Sequence, residues 1–135
     1  MTKKTLHVAV GILIDSQKNI LVALREKDSG QGGLWEFPGG KIESQETPYE
    51  GLCRELKEEI GIKVSQASTL LELFHDYPAY AVQLYVWQVH TFEGEPHGAE
   101  GQIVEWVDIY RLKQLRLPGA NGQIVEYLEK TYLLP

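Results

Sequence analysis

The chain has 135 residues, a formal net charge of −6 and 43% hydrophobic residues, as expected for one globular domain over residues 1–135. The acidic excess argues against binding to long nucleic acids. A small polyphosphate could still bind if metal ions neutralise the carboxylates. Because Cys53 is the only cysteine and no apolar run is long enough for a membrane, the chain is expected in the cytoplasm, without a disulfide.

Two apolar strands are predicted near the start of the chain. Residues 7–14 form a β-branched run without polar alternation, which is typical of a strand buried on both faces. A polar turn at residues 15–19 separates it from an apolar run at residues 20–24, so these two strands are predicted to form a hairpin. Residues 34–37 indicate a short third strand, which ends in a glycine turn at residues 38–40.

A helix with clear start and stop signals is predicted over residues 48–60. Thr47 is a good N-cap, and Pro48 suits the first helical position. Glu50 lies three residues after Thr47, which makes a capping box, and Gly61 is the residue expected after the last turn. These signals define both ends of the helix.

This helix combines an apolar stripe with an acidic cluster. The stripe, which is expected to pack against a sheet, consists of Tyr49, Leu52, Cys53, Leu56 and Ile60. The cluster is Glu55, Glu58 and Glu59, whose like charges repel at these helical spacings. A hard divalent cation would turn that repulsion into binding, because Mg²⁺ prefers carboxylate oxygens. A solvated acidic face with an ion pair between Arg54 and Glu58 is the alternative.

The second half of the chain alternates strands with helices. Strands are predicted at residues 63–74, 81–90 and 103–107. Asp108 could cap a short helix that reaches residue 115, and residues 123–132 fit a closing amphipathic helix. This interleaving indicates an α/β fold with helices on both sides of a sheet, whose strand order stays open.

Three segments at fixed spacing resemble a known family signature. Gly40 is followed after five residues by Glu46, and after seven more by the run RELKEEIGI at residues 54–62, which is similar to the Nudix box at every position. On this basis the chain is identified as a member of the Nudix hydrolase family, whose members cleave a nucleoside diphosphate linked to another group. The resemblance implies a Nudix fold, an α/β/α sandwich with a mixed sheet, and Mg²⁺ as the cofactor, with Mn²⁺ as the alternative.

The resemblance also implies roles for individual residues. The implied metal ligands are the Gly39 carbonyl and the carboxylates of Glu55, Glu58, Glu59 and Glu100, and the implied catalytic set is Arg54, Glu55, Glu58 and Glu100. Glu55 and Glu100 are alternative general bases, and both the choice between them and the number of metal ions stay open. Arg54 is implied to orient Glu55 through an ion pair, and Glu46 to support the loop before the helix.

Short matches along the chain are similar to the MutT branch of this family, whose enzymes hydrolyse 8-oxo-dGTP to the monophosphate and pyrophosphate. The matching segments are residues 9–11, 36–41, 93–96, 100–102 and 120–121. By this likeness Arg25, Phe37 and Asn121 form the nucleotide pocket, and the Asn121 amide offers both a donor and an acceptor to a purine edge. Lys41 is a candidate phosphate contact. Tyr80, where the chain departs from that branch, could stack on the base.

Other substrates and one other function also fit the sequence. The same reaction could act on CTP, another pyrimidine nucleotide or a dinucleotide polyphosphate. A non-catalytic Nudix module that only binds a nucleotide predicts a degraded box, whereas this box is intact. The expected partner is a small nucleotide rather than a nucleic-acid polymer or a membrane. The oligomeric state stays open, and a monomer is compatible with the sequence.

Overall fold

The structure is a computed structural model that describes residues 3–24, 33–115, 117 and 119–132. Its elements, in chain order, are β1 (Thr5–Leu13), β2 (Ile20–Leu24), β3 (Trp35–Glu36), β4 (Gly39–Lys41), α1 (Pro48–Ile60), β5 (Lys63–Asp76), β6 (Ala81–Glu93), β7 (Val104–Val107), α2 (Ile109–Gln114) and α3 (Asn121–Tyr132). Within these segments no helix is both long enough and apolar enough to cross a membrane.

The strands form two sheets. The larger sheet has the order β4-β1-β6-β5, in which β1 and β6 are parallel and the other pairs are antiparallel. The smaller sheet has the order β3-β2-β7 and is antiparallel throughout.

The predicted hairpin between the first two strands is wrong. β1 and β2 belong to different sheets and are linked by an isolated bridge between Ile14 and Ile20. One edge of β1 pairs with β6 along the whole strand and the other pairs with β4 at residues 8–10, and β2 is bridged to the residue that follows β1. The absence of polar alternation in this strand fits its central position, because both of its faces are covered.

Strand β4 contains two residues, Gly39 and Gly40, of the turn that the sequence predicts at residues 38–40, and it continues to Lys41. It pairs with β1 in antiparallel register, with Gly39 opposite Val10. Gly39 has a φ of 152°, and a Cβ on it would overlap the carbonyl oxygen of Ala9. Only glycine allows the two backbones to approach this closely, so a residue type that usually marks a turn here permits strand pairing.

The larger sheet lies between two layers of helix, which confirms the expected α/β/α arrangement. Alternate residues of β1 face opposite sides, so that Ala9 and Leu13 pack with α1 whereas Val10 and Ile12 pack with α2 and α3. The α1 side is filled mainly by Leu21, Leu52, Leu56, Ile60, Ile62 and Val89. The other side is filled mainly by Val22, Leu84, Val86, Leu112, Ile124 and Leu128.

Helix α1 begins and ends where the sequence predicts. The Thr47 hydroxyl accepts a hydrogen bond from the Glu50 amide at 3.1 Å, and the Glu50 carboxylate accepts one from the Thr47 amide at 2.8 Å. Gly61 ends the helix in the left-handed region with a φ of 71°, and its amide donates to the carbonyls of Leu56 and Lys57. Both termini are therefore specified locally.

Candidate active site

Arg54 connects the acidic residues of α1 to the loop that precedes it. Its Nε and Nη2 atoms donate to the two carboxylate oxygens of Glu46 at 2.6 and 2.9 Å, and Nη2 also donates to the Lys41 carbonyl at 2.9 Å. Its Nη1 atom donates to Glu55 at 3.0 Å and to Glu58 at 3.3 Å. One guanidinium thus links three carboxylates and the end of β4, as its rigid fork of five donors allows.

The pair between Arg54 and Glu46 is the strongest ionic contact in this network. Hydrogen bonding from Arg54, followed by the bond that the Glu43 amide donates to Glu46, lowers the pKa of Glu46 to about 2. The carboxylate of Glu46 therefore stays ionised at every pH at which the protein would be used. It holds residues 43–46 against α1 and keeps Arg54 in place beside Glu55, as expected for a supporting partner.

Glu59 is a buried carboxylate that contacts the β4 backbone. Its side chain accepts a hydrogen bond from the Gly39 amide at 2.9 Å, and only 8% of the residue is exposed. Burial raises its pKa to about 8, and the negative charges of Glu36, Glu100 and Glu55 act in the same direction. The proton is thus retained near neutral pH for as long as no positive charge compensates this carboxylate.

Glu55 lies against Gly40 on the same side of β4. A Cβ on Gly40 would overlap the Glu55 carboxylate, so the glycine makes room for that side chain. Burial raises the pKa of Glu55 and outweighs the Arg54 contact, which lowers it, while Glu58 and Glu100 raise it further. The two glycines of β4 thereby make room for different groups: Gly39 for the backbone of β1, and Gly40 for the Glu55 side chain of α1.

Glu100 is brought to this cluster by a loop that follows β6. Its negative charge contributes to the raised pKa of both Glu55 and Glu59, although Glu100 is 41 residues beyond the second of them in the chain. The loop is attached to the last turn of α1, where the amides of His97 and Ala99 donate to the carbonyls of Ile60 and Glu59 at 3.1 and 3.0 Å. These carbonyls have no partner within the helix, so the loop satisfies them.

The chemistry of this cluster fits a hard divalent cation. Its metal-binding atoms are carboxylate oxygens, and burial, together with their mutual repulsion, raises the pKa values of Glu55 and Glu59, which a positive charge would lower. In the described part of the chain no three acidic, histidine or cysteine side chains converge tightly enough to bind one ion as they stand. The cluster would therefore hold an ion through Glu55, Glu58, Glu59 and Glu100 together only after some of these side chains turn towards one another.

A cavity of about 320 Å³ lies on the opposite side of the larger sheet and reaches β4. Its walls include four of the predicted substrate residues, namely Phe37, Lys41, Tyr80 and Asn121, together with the β4 glycines Gly39 and Gly40. Its floor is formed by β1 and β6 side chains that point away from α1, such as Val8 and Val82. The fifth predicted substrate residue, Arg25, lies outside the described residues.

Two aromatic residues of this cavity were not predicted from the sequence. The rings of His75 and Tyr77 lie 4.3 Å apart, and the ring of Tyr77 stacks on that of Tyr80 at 5.2 Å. The Tyr77 hydroxyl touches the position that a Cβ on Gly119 would occupy, so this ring reaches across to the start of α3. The aromatic spacing of the segment HDYPAY was the only available signal, and it cannot be distinguished from ordinary strand-end packing.

Comparisons with known proteins agree with this site. Residues 9–127 match the NUDIX domain family. An 8-oxo-dGTP diphosphatase of Escherichia coli (strain K12) is 38% identical over 127 residues, which cover 94% of this chain and 98% of that protein. A CTP pyrophosphohydrolase of the same strain is 32% identical over 117 residues, 87% of each chain.

A solved MutT structure, from work on the Aliivibrio salmonicida and Vibrio cholerae proteins, superposes with a TM-score of 0.83. The two chains are 35% identical, and the match covers 96% of this chain and 100% of that one. The likeness thus extends over the whole α/β/α arrangement and is not confined to the acidic helix. The chain belongs to the NUDIX domain family and is a hydrolase of phosphoanhydride bonds, as its sequence predicts.

Proposed function

We propose that this chain, as a single domain, hydrolyses 8-oxo-dGTP to 8-oxo-dGMP and pyrophosphate, with Mg²⁺ as its cation. The observation that carries the proposal is the position of β4 between two sites. On the α1 side, the Gly39 amide of β4 donates a hydrogen bond to the buried Glu59. On the other side, all three residues of β4, Gly39, Gly40 and Lys41, line the cavity. A nucleoside in the cavity would therefore extend its phosphates around β4 towards the acidic cluster. The E. coli 8-oxo-dGTP diphosphatase supports this choice of substrate.

The phosphate end of the site needs charge compensation, because the cluster and the substrate are both negative. When bound, a divalent cation supplies that compensation and acidifies water. Glu55, Glu58, Glu59 and Glu100 are the carboxylates that would hold it, and we propose the Gly39 carbonyl as a further ligand. Lys41 lies on the cavity wall at the end of β4, where its ammonium group would meet a phosphate.

Glu55 and Glu100 are the two candidates for the group that accepts a proton from the attacking water. Glu55 has a raised pKa, which makes it a better base at neutral pH than an exposed carboxylate. The hydrogen bond from Arg54 fixes one of its oxygens and leaves the other available. We assign the base role to Glu55 because it is held on two sides, by Arg54 and by Gly40, whereas Glu100 is exposed on a loop.

The base end of the cavity would select the nucleotide. Asn121 stands at the start of α3 and lines the cavity, and we propose that its amide binds the purine edge. Phe37 is 5% exposed, so it lines the cavity from within the core and offers a rigid apolar wall. Tyr80 is 36% exposed beside Tyr77, which leaves part of its ring free to stack on a base.

A second substrate class is favoured by one specific observation. Tyr80 and its stacked neighbour Tyr77 form an aromatic wall that would accept any base, and a relative 32% identical to this chain is a CTP pyrophosphohydrolase. CTP, another pyrimidine nucleotide or a dinucleotide polyphosphate is therefore the alternative substrate. A module that only binds nucleotide is disfavoured, because the catalytic carboxylates and their Arg54 partner are all present.

We also propose a small nucleotide as the partner rather than a nucleic-acid polymer, and the cytoplasm as the compartment. The net charge of −6 would repel a polyphosphate chain that lacks cations. Cys53 is a half-buried free thiol, which is compatible with a reducing environment.

A turnover assay tests the proposed function. The protein is incubated with Mg²⁺ or Mn²⁺ and a panel of 8-oxo-dGTP, dGTP, CTP and a dinucleotide polyphosphate, and the products are identified. We expect pyrophosphate and 8-oxo-dGMP, with a higher kcat/KM for 8-oxo-dGTP than for dGTP, and higher turnover with Mg²⁺ than with Mn²⁺. Preference for CTP would replace the proposed substrate, and no turnover of any nucleotide would refute the function.

Two variants assign the roles within that assay. Glu55→Gln should lower kcat by about 10²- to 10⁴-fold, because its amide cannot accept the proton. Asn121→Ala should reduce the preference for 8-oxo-dGTP over dGTP by roughly tenfold while turnover of CTP changes less. Equal loss on every substrate would show that Asn121 does not read the base. Gln66→Met, on the exposed part of β5 away from both sites, is the control.

A further inference from the structure

The loop that carries Glu100 is held by a side chain to which the sequence assigned no role. The Nε2 atom of Gln102 donates a hydrogen bond to the carbonyl of Glu59 at 2.8 Å. Its Oε1 atom accepts a hydrogen bond from the amide of Glu100 at 3.0 Å. Gln102 therefore joins the backbones of two acidic residues that lie far apart in the sequence.

The amide side chain of Gln102 performs both of these tasks. The Glu59 carbonyl accepts from Gln102 in addition to the Ala99 amide, the Glu100 amide donates to Gln102, and a glutamine offers the donor and the acceptor that these two contacts need. Methionine has nearly the same length but offers neither, and glutamate keeps the acceptor while placing a second acceptor against the Glu59 carbonyl. Of these three residues, only glutamine can bond to both the Glu59 carbonyl and the Glu100 amide.

The loop around Gln102 is closed tightly, which fixes where its side chain can reach. The Gly101 amide donates to the Gly98 carbonyl at 2.9 Å, and Gly101 has a φ of 89°. A Cβ on Gly98 would overlap the backbone carbonyl of Gln102. With the amide of Ala99 also bound to the Glu59 carbonyl, this segment is anchored to the last turn of α1 at several points.

We infer that Gln102 is a positioning residue that holds the Glu100 loop on helix α1, so that the Glu100 carboxylate faces Glu55 and Glu59 when the cation and substrate bind. The inference rests on the proposed function. It adds that the site depends on a contact between the loop after β6 and the end of α1. Gln102 itself does not need to touch the substrate, because it acts through the backbone amide of Glu100.

The first test measures the hydrogen bond itself and needs no nucleotide. In Gln102→Met, exchange of the Glu100 backbone amide with solvent should become at least about tenfold faster, because its acceptor is lost. The matched control Gln66→Met should leave that rate unchanged. An unchanged exchange rate in Gln102→Met would overturn the inference. If Gln102→Met does not fold, Gln102→Glu keeps the acceptor and should weaken only the link to the Glu59 carbonyl.

The second test is a double-mutant cycle between Gln102→Met and Glu100→Gln, read in Mn²⁺ affinity without nucleotide and in kcat. Loss of a supporting contact of this kind typically weakens metal binding or activity by 10- to 100-fold. If Gln102 acts through Glu100, adding Gln102→Met to Glu100→Gln should cause no further loss in at least one of the two measured quantities, the Mn²⁺ affinity or kcat. Losses that multiply in both readouts would indicate a merely structural role and overturn the inference. The Mn²⁺ affinities keep their meaning even if 8-oxo-dGTP is not the substrate.

Discussion

At the scale of single residues, the acidic site is organised by contrasts in protonation. Glu46 and Glu59 are both carboxylates linked to α1, yet hydrogen bonds from Arg54 lower the pKa of the first to about 2 and burial raises that of the second to about 8. The first is a permanent anion with a structural partner. The second carries a full charge below about pH 8 only when something positive compensates it, which is the behaviour expected of a cation ligand.

The raised pKa of Glu59 predicts how the stability of the metal-free protein depends on pH. Its pKa is higher in the folded state than the ordinary value of 4.5, so the proton favours folding, and this stability is complete below about pH 4.5. It is lost progressively as the pH rises to about 8. The unfolding temperature of the metal-free protein should therefore fall between pH 5 and pH 8, measured by circular dichroism.

Two controls isolate the contribution of Glu59. Glu59→Gln imitates the protonated form and keeps an acceptor for the Gly39 amide, so its unfolding temperature should vary less over the same pH range. Mg²⁺ should raise the unfolding temperature of the unmodified protein more at pH 8 than at pH 5.5, because it replaces the proton. Parallel pH curves for the protein and Glu59→Gln would contradict this account.

At the scale of elements, the short strand β4 links the sheet, the acidic helix and the cavity. Gly39 allows close pairing with β1, whereas Gly40 leaves space for the Glu55 side chain. The two glycines are adjacent, but the atoms that surround them differ: backbone in the first case and the end of a flexible side chain in the second. An added methyl group should therefore have different consequences at the two positions.

Gly39→Ala should destabilise the protein, and Gly40→Ala should impair catalysis. The methyl group of the first variant meets a backbone carbonyl at a φ of 152°, so we expect a loss of more than about 2 kcal/mol in the free energy of unfolding. The methyl group of the second displaces Glu55, so we expect kcat to fall by about 100-fold while stability changes by less than about 1 kcal/mol. Urea denaturation and turnover measure the two effects. Equal stability losses would contradict this division.

At the scale of the whole molecule, two hydrophobic clusters on opposite sides of the larger sheet support different parts of the site. Leu56 lies in the cluster beneath α1, close to Gly11 of β1, where a Cβ would come within 2.9 Å of its Cδ1 atom. Leu128 lies in the other cluster, beneath α3, on the side of the cavity. Both side chains are fully buried.

Truncation of these two leucines should cost similar stability and have different effects on metal binding. Leu56→Ala and Leu128→Ala should each lower the free energy of unfolding by about 2–5 kcal/mol. Only Leu56→Ala should also weaken Mn²⁺ binding well below its unfolding temperature, because the leucine lies between the Glu55 and Glu59 positions on α1. Calorimetric titration measures the affinities. Comparable weakening in Leu128→Ala would show that the two layers are not independent.

Much of the catalytic half of the site is determined by the sequence itself. Thr47, Glu50 and Gly61 specify the ends of α1 through contacts within five residues, and helical spacing places Glu55, Glu58 and Glu59 together. Such features depend on local geometry alone, so they can be read before any fold is known. The strands at the centre of the larger sheet, β1 and β6, are also predictable, because long β-branched and aromatic apolar runs favour buried strands over other structures.

The partners of each strand and the surroundings of the site were decided only by the tertiary structure. The assignment of β1 and β2 to different sheets, and the pairing of Gly39 with β1, depend on contacts that periodicity does not encode. Gln102 reaches a carbonyl 43 residues away, and its role became visible only when the loop after β6 was placed on α1. The sequence thus determines the chemistry of the helix, whereas long-range packing decides that the helix and the cavity meet at β4.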